Sequence, residues 1–155
     1  MATNETRLNR LLLSLPPTPK PAGLYKPTLI VGGLIYLSGH VSVRRDGTRL
    51  TGRVGVDLSL EQGKAAARQA GFAILATLRS TLGSIDRIDR VVRVLGLINA
   101  SMDFDQHSSV LNGCSELFVE VFGEDNGVGV RTAAGVASLP GNVAVEVEAV
   151  FSLTK

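Results

Sequence analysis

The chain has 155 residues, 45% hydrophobic and 19% charged, which bounds it to about one globular domain and excludes a disordered polypeptide. Sixteen Lys and Arg against fourteen Asp and Glu leave a net charge of +2 with no basic run, so nucleic acid is an unpromising partner. The lone Cys114 excludes an internal disulfide, and no apolar run approaches the ~18 residues of a membrane-spanning helix. A leucine-rich stretch at 11–15 runs into prolines rather than a small-residue cleavage site, so no membrane association is expected and the cytoplasm is the expected location.

Residues 1–21 read as a leader and 22–155 as a single domain. Asn4 to Leu13 has Leu8, Leu11 and Leu12 on one helical face. Pro16, Pro17, Pro19 and Pro21 then force an extended arm, because proline fixes φ and donates no hydrogen bond. That arm either packs loosely or shapes a site. From Thr28, two apolar runs flank Gly32-Gly33, the pattern of a tight β-hairpin. Ser59 with Gln62 three residues later marks a capped helix start, and Gly83 marks its end. The nearly continuous apolar run Ile88 to Asn99 reads as a strand buried on both faces or between subunits. A second helix is expected over Asp103 to Phe122, with Val110, Leu111, Cys114, Leu117 and Phe118 on its stripe. Cys114 on that stripe reads as a buried thiol. Strands at 130–139 and 143–153 are expected to form a hairpin through Pro140-Gly141-Asn142. Helices lying between strands predict an α+β or α/β sheet with both helices on one face.

Chemistry is sparse. His40 and His107 lie near no cysteine pair, so no metal site is expected. No phosphate-binding glycine loop and no nucleophile elbow occurs. Arg131 opens a strand of small residues, where a guanidinium fork has room to meet a carboxylate. Spacing alone favours the plainer description, an exposed strand-end arginine. Glu146 and Glu148 share one strand face, about 7 Å apart, either facing water or supplying a proton acceptor. A paired 130–153 hairpin places Arg131 opposite Phe151 or Ser152, so the arginine meets Glu146 only through a bulge at Gly135, a shared water or a subunit junction.

The run from Arg131 through Leu139-Pro140 to Glu146, Glu148 and Ala149 resembles the C-terminal signature of the reactive intermediate deaminase (Rid, or YjgF-type) family. Gly23-Leu24-Tyr25 is similar to that family's Gly-Pro-Tyr, and Ser38-Gly39-His40 to its Ser-Gly-Gln. Asp103-Phe104, Leu111-Asn112 and Phe118 resemble its second-helix motif, in the family's order. The Pro-rich leader and the extra residues between Phe104 and Asn112 resemble a less studied branch.

The resemblance implies a chorismate-mutase-like α+β fold, a homotrimer with a barrel-like core of sheets, and clefts between subunits. It implies hydrolysis of 2-imino acids to 2-keto acids and ammonia without a cofactor. Arg131 matches the arginine that grips the substrate carboxylate, and Glu146 the glutamate that activates water. Tyr25, Ser38 and Asn112 are expected to line the pocket. Ala133 stands where the family has a cysteine, as a substrate-binding position through its backbone. Family names also imply an endoribonuclease or translation inhibitor, and a separate alternative is a non-catalytic trimer that binds a small carboxylate. The low net charge argues against the RNA reading.

Overall fold

The computed structural model describes residues 1–11 and 15–155. Strands β1 (Thr28–Val31) and β2 (Leu34–Val41) form the expected hairpin. Gly32 and Gly33 both adopt positive φ, 58° and 80°, which suits a two-residue turn. Helix α2 (Leu60–Leu82) starts on Ser59, whose side chain accepts from the Gln62 amide while the Gln62 side chain accepts from the Ser59 amide. It ends at Gly83 in the left-handed conformation. Strand β3 (Ile88–Asn99), helix α3 (His107–Phe122), strand β4 (Val130–Val136) and strand β5 (Val145–Leu153) follow. Residues 101–106 turn before α3, so that helix starts four residues later than expected from Asp103.

The five strands form one sheet in the order β1-β2-β5-β3-β4. Only β3 and β4 are parallel; α3 is the crossover their direction requires. The expected hairpin of 130–139 with 143–153 does not form. Instead β3 lies between β4 and β5 and pairs with both. The 12-residue apolar β3 gains a neighbour on each edge, and the small-residue β4 takes the sheet margin. The crossing segment is pinned by Asn99, almost fully buried, whose amide donates to Val143 O (3.2 Å) and Asn142 Oδ1 (3.1 Å). With no β4–β5 pairing, a bulge at Gly135 has no register to change.

Helices α2 and α3 cover one face of the sheet. Val145, Val147, Ala149 and Phe151 alternate into that face and are buried. Phe151 meets Phe118 edge-on, with ring centroids 5.4 Å apart. Between the helices, a Cβ at Gly113 would run into the Lys64 carbonyl, 2.9 Å from its carbon. Helix α1 (Asn4–Leu11) buries Leu8 and is tied to the body by an Asn4 amide bond to Ile88 O (3.1 Å) and a Glu5–Arg79 ion pair. Leu12 and Leu13 of the expected leader helix lie outside the described residues. Residues 15–21 have no regular structure, as their prolines require.

Among the described residues, the other face of the sheet carries no helix. One row across all five strands, in register, is Leu29, Tyr36, Val150, Arg93 and Val130. Leu29 (50%), Tyr36 (43%) and Val130 (70%) are strongly exposed for apolar or aromatic side chains. Glu146 and Glu148 point to this open face.

The Gly113 contact sets a stability expectation. Gly113→Ala forces α2 and α3 apart and lowers unfolding stability by about 1–3 kcal/mol, read as a lower urea midpoint with an unchanged slope.

Candidate functional site

The structure sorts the six expected site residues into two groups on opposite faces of the sheet. Register explains the division. Arg131 pairs with Val94, which is buried beneath the helices, so the arginine faces the helix layer. Glu146 pairs with Leu97 and Val41 and faces the open side. Arg131 and Glu146 of one chain therefore do not share a cavity.

The helix-side group is built by β4, α3 and the 127–129 loop. Arg131 and Asn112 line a cavity of 220 Å³ with Ser115 and Phe118. The Arg131 Nη1 donates to Ser115 Oγ (3.0 Å) and its Nη2 to Ser108 O (3.2 Å). Two of its five N–H donors are thus spent on positioning the fork, and the rest remain for a ligand. Gly129, pressed against the backbone of Val91 and Val92, holds the loop tightly to β3 just before the arginine. Ala133 lies two residues on, half-buried on the same face as Arg131 and opposite Gly96. It does not line the Arg131 cavity. Cys114, beside Ser115, is fully buried, and burial pushes its thiol up to about 12, so it is protonated and inert.

The open-face group is larger. Tyr25, Ser38, Glu146 and Glu148 line a cleft of 570 Å³ whose rim includes Pro19 and Lys20 of the arm. The arm thus forms a wall of this cleft. Strand β2 carries one extra residue here: Leu37 pairs with Ala149 and His40 with Val147, which leaves Ser38 and Gly39 opposite Glu148. The bulge seats the glutamate. A Cβ at Gly39 would collide with the Glu146 carboxylate, 2.9 Å from its Cδ, so only glycine leaves room. The Ser38 hydroxyl donates to Lys26 O (2.6 Å), and the Tyr25 hydroxyl accepts from the Ala22 amide (3.3 Å). Burial, and secondarily the like charge of Glu148, raises the Glu146 carboxyl above its ordinary 4.5. A half-buried carboxylate with raised basicity suits proton abstraction.

Two features escaped the sequence reading. Arg49 reaches the open-face cleft from the segment after β2. A third cavity, of 360 Å³, lies at the far end of β4 between Arg53, Phe104 and His107, and holds none of the expected residues. Neither is signalled locally in the sequence, because each depends on where a loop crosses the sheet. Among the described residues, no group of three or more His, Cys, Asp or Glu side chains is placed to hold a metal ion, and no helix is long and apolar enough to cross a membrane.

Comparison with known proteins agrees with this architecture. Residues 5–148 match the family described as "YjgF/chorismate_mutase-like, putative endoribonuclease", and the chain belongs to that family. It is 38% identical to Protein TCP17 of Trypanosoma cruzi over 94% of this chain and 91% of that protein. It is 29% identical to a 2-iminobutanoate/2-iminopropanoate deaminase of Dermatophagoides farinae, over 90% of this chain and 93% of the relative. A crystal structure of "a putative endoribonuclease" from Shewanella oneidensis superposes with a TM-score of 0.92 at 30% identity, covering 97% and 99% of the two chains. The expected chorismate-mutase-like α+β fold is the fold observed.

Beside the bulge, His40 is only 4% exposed. Its Nδ1 donates to Ser38 O (2.6 Å), so its Nε2 accepts from the Thr77 hydroxyl (2.8 Å) and the ring is neutral. Burial lowers its pKa below the ordinary 6.5, against the smaller opposing pull of the Ser38 carbonyl. The unfolded chain then binds the proton more readily. The His40 contribution is fully present above 6.5 and is lost as pH falls through the folded value. Stability to urea is expected to fall by up to about 1.4 kcal/mol per pH unit as pH drops from 6.5 toward the folded value, and His40→Gln to flatten that dependence.

Proposed function

We propose that the chain is a cofactor-free imine deaminase acting as a homotrimer, with each site completed by two copies. The carrying observation is the separation described above: Arg131 and Glu146 are each prepared for a ligand, yet they face opposite sides of the same sheet. A helix-side cavity with an oriented guanidinium and an open-face cleft with a basic carboxylate are complementary halves. The exposed apolar row on the open face supports burial against further copies. The name of the mite relative supports the substrate class.

The chemistry follows from the groups. Arg131 of one copy pairs with the carboxylate of a 2-imino acid. Glu146 of a second copy takes a proton from water as the water oxygen bonds to the imine carbon. That proton passes to the imine nitrogen to give a carbinolamine; the hydroxyl proton then moves to the amine through the same carboxylate as the C–N bond breaks, so the carbonyl forms and ammonia leaves. Water is the only co-reactant, and the step is redox-neutral. The imine hydrolyses readily on its own, so holding it against the water supplies the modest acceleration required. Tyr25 and Ser38 flank the Glu146 half, and Asn112 flanks the Arg131 half.

Two measurements test this. In a coupled assay with threonine dehydratase supplying the imine, Arg131→Ala and Glu146→Gln each reduce keto-acid release to near the uncatalysed rate. Co-refolding the two inactive variants in equal amounts restores native clefts at about a quarter of sites, and with them activity. No recovery in a verified mixed oligomer, or a monomeric mass for the active protein, overturns the shared site. The acid limb of kcat/KM reports Glu146. It is expected above the carboxyl's ordinary 4.5, and Glu148→Gln shifts it to lower pH by removing the like charge.

A further inference from the structure

We infer that Arg49 selects substrates bearing a second carboxylate, so that the preferred substrates are the acidic imino acids, four- and five-carbon 2-imino dicarboxylates. This rests on the imine-hydrolase reading above and names the substrate class of that same site.

A cleft of 570 Å³ far exceeds what a three- or four-carbon imino acid fills, so even with a second copy closing one side its walls away from Glu146 leave room for a longer substrate side chain. Arg49 lies on one of those walls. Its position is fixed by the fold: Arg49 forms a bridge with Val43, and its carbonyl accepts from Arg44 Nη1 (3.2 Å). Its own Nη1 lies over Gly141, where a Cβ would come within 2.9 Å of it. Gly141 has a positive φ of 62°, and the absence of a side chain there makes the seat for the guanidinium. Thr51 bridges Val143, which places this corner beyond the Glu146 end of β5 and away from Glu148.

The Arg49 fork is also uncommitted. Among the described residues it forms no ion pair and donates no side-chain hydrogen bond, although two glutamates line the same cleft. Its neighbour Arg44 differs, since its guanidinium is engaged with Thr48 Oγ1 (3.2 Å) and the Arg49 carbonyl. Lys20 of the arm adds a second cation to the wall. An unpaired planar fork in a cleft is suited to bidentate capture of a carboxylate. With Arg131 holding the carboxylate next to the imine and Glu146 serving the imine carbon, the side-chain carboxylate of an acidic imino acid extends toward Arg49. The two arginines then balance the two substrate charges. A neutral imino acid leaves Arg49 unpaired and forgoes that interaction.

The test compares two imines released in situ. D-aspartate oxidase acting on D-aspartate supplies the dicarboxylate, and D-amino-acid oxidase acting on D-2-aminobutyrate supplies the neutral imine; decay is followed by semicarbazide trapping. The native protein is expected to show kcat/KM at least about tenfold higher for the acidic imine. Arg49→Ala and the neutral, polar Arg49→Gln are expected to lower the acidic-to-neutral ratio at least about tenfold, mainly through KM, while Arg49→Lys retains part of it. Circular dichroism and thermal unfolding identify any variant that has lost its fold, and the ratio is read on the folded ones. Hydrolysis of the neutral imine with no acidic preference, or a ratio unmoved by both substitutions, overturns this inference alone. A shift of the acid limb with an unchanged ratio does the same, since Arg49 then only screens the glutamates. Hydrolysis of neither imine overturns the imine-hydrolase reading itself.

Discussion

The strict two-residue alternation of β5 governs the rest of the molecule. Val145, Val147, Ala149 and Phe151 must enter the helix layer, and this sends Glu146 and Glu148 to the bare side of the sheet. A slip of one residue would bury both carboxylates among leucines and phenylalanines, at a cost no local contact could offset. The register of β5 against β2 and β3 is therefore fixed by burial, and the glutamates are placed by that same burial. Because β3 separates β4 from β5, the small-residue β4 inherits its facing from Val94 and presents Arg131 to the helix side. Arginine and glutamate are set apart by sheet order, not by a flexible choice of rotamer.

Local departures from regularity serve that frame. The extra residue in β2 leaves Ser38 and Gly39 opposite Glu148 and opens the space into which the Glu146 carboxylate fits. Beneath it, the neutral imidazole of His40 joins β2 to α2 through Thr77 and braces the bulge from the core side. A strand of uniform pleat would place a side chain where Gly39 now makes room. The arm of residues 15–21 contributes from the other direction, since Pro19 and Lys20 border the cleft.

Much of this was legible in the chain itself. The Gly32-Gly33 hairpin, the Ser59–Gln62 cap, the Gly83 stop and the limits of the long apolar β3 are written in short-range chemistry, and the structure has them where residue type places them. The family resemblance carried the fold as well, because several weak motifs occur in one order. Sheet order was not legible. Pro140-Gly141-Asn142 has the composition of a hairpin turn, yet the segment crosses the end of β3 under the hold of Asn99, a residue that looks unremarkable in sequence. The facing of Arg131 depends on that crossing. Arg49 was invisible for a related reason, since its seat is an absent side chain at Gly141, ninety-odd positions along the chain.

Cys114 gives this architecture an internal gauge. It is the only sulfhydryl in the chain, it is sealed between α2 and α3 against Gly71, and its proton is held to about pH 12. Alkylating reagents need an ionised sulfur in contact with solvent, and the closed molecule offers neither. Modification then proceeds only through the rare moments when the two helices separate, so its pace measures how often the layer above the sheet opens.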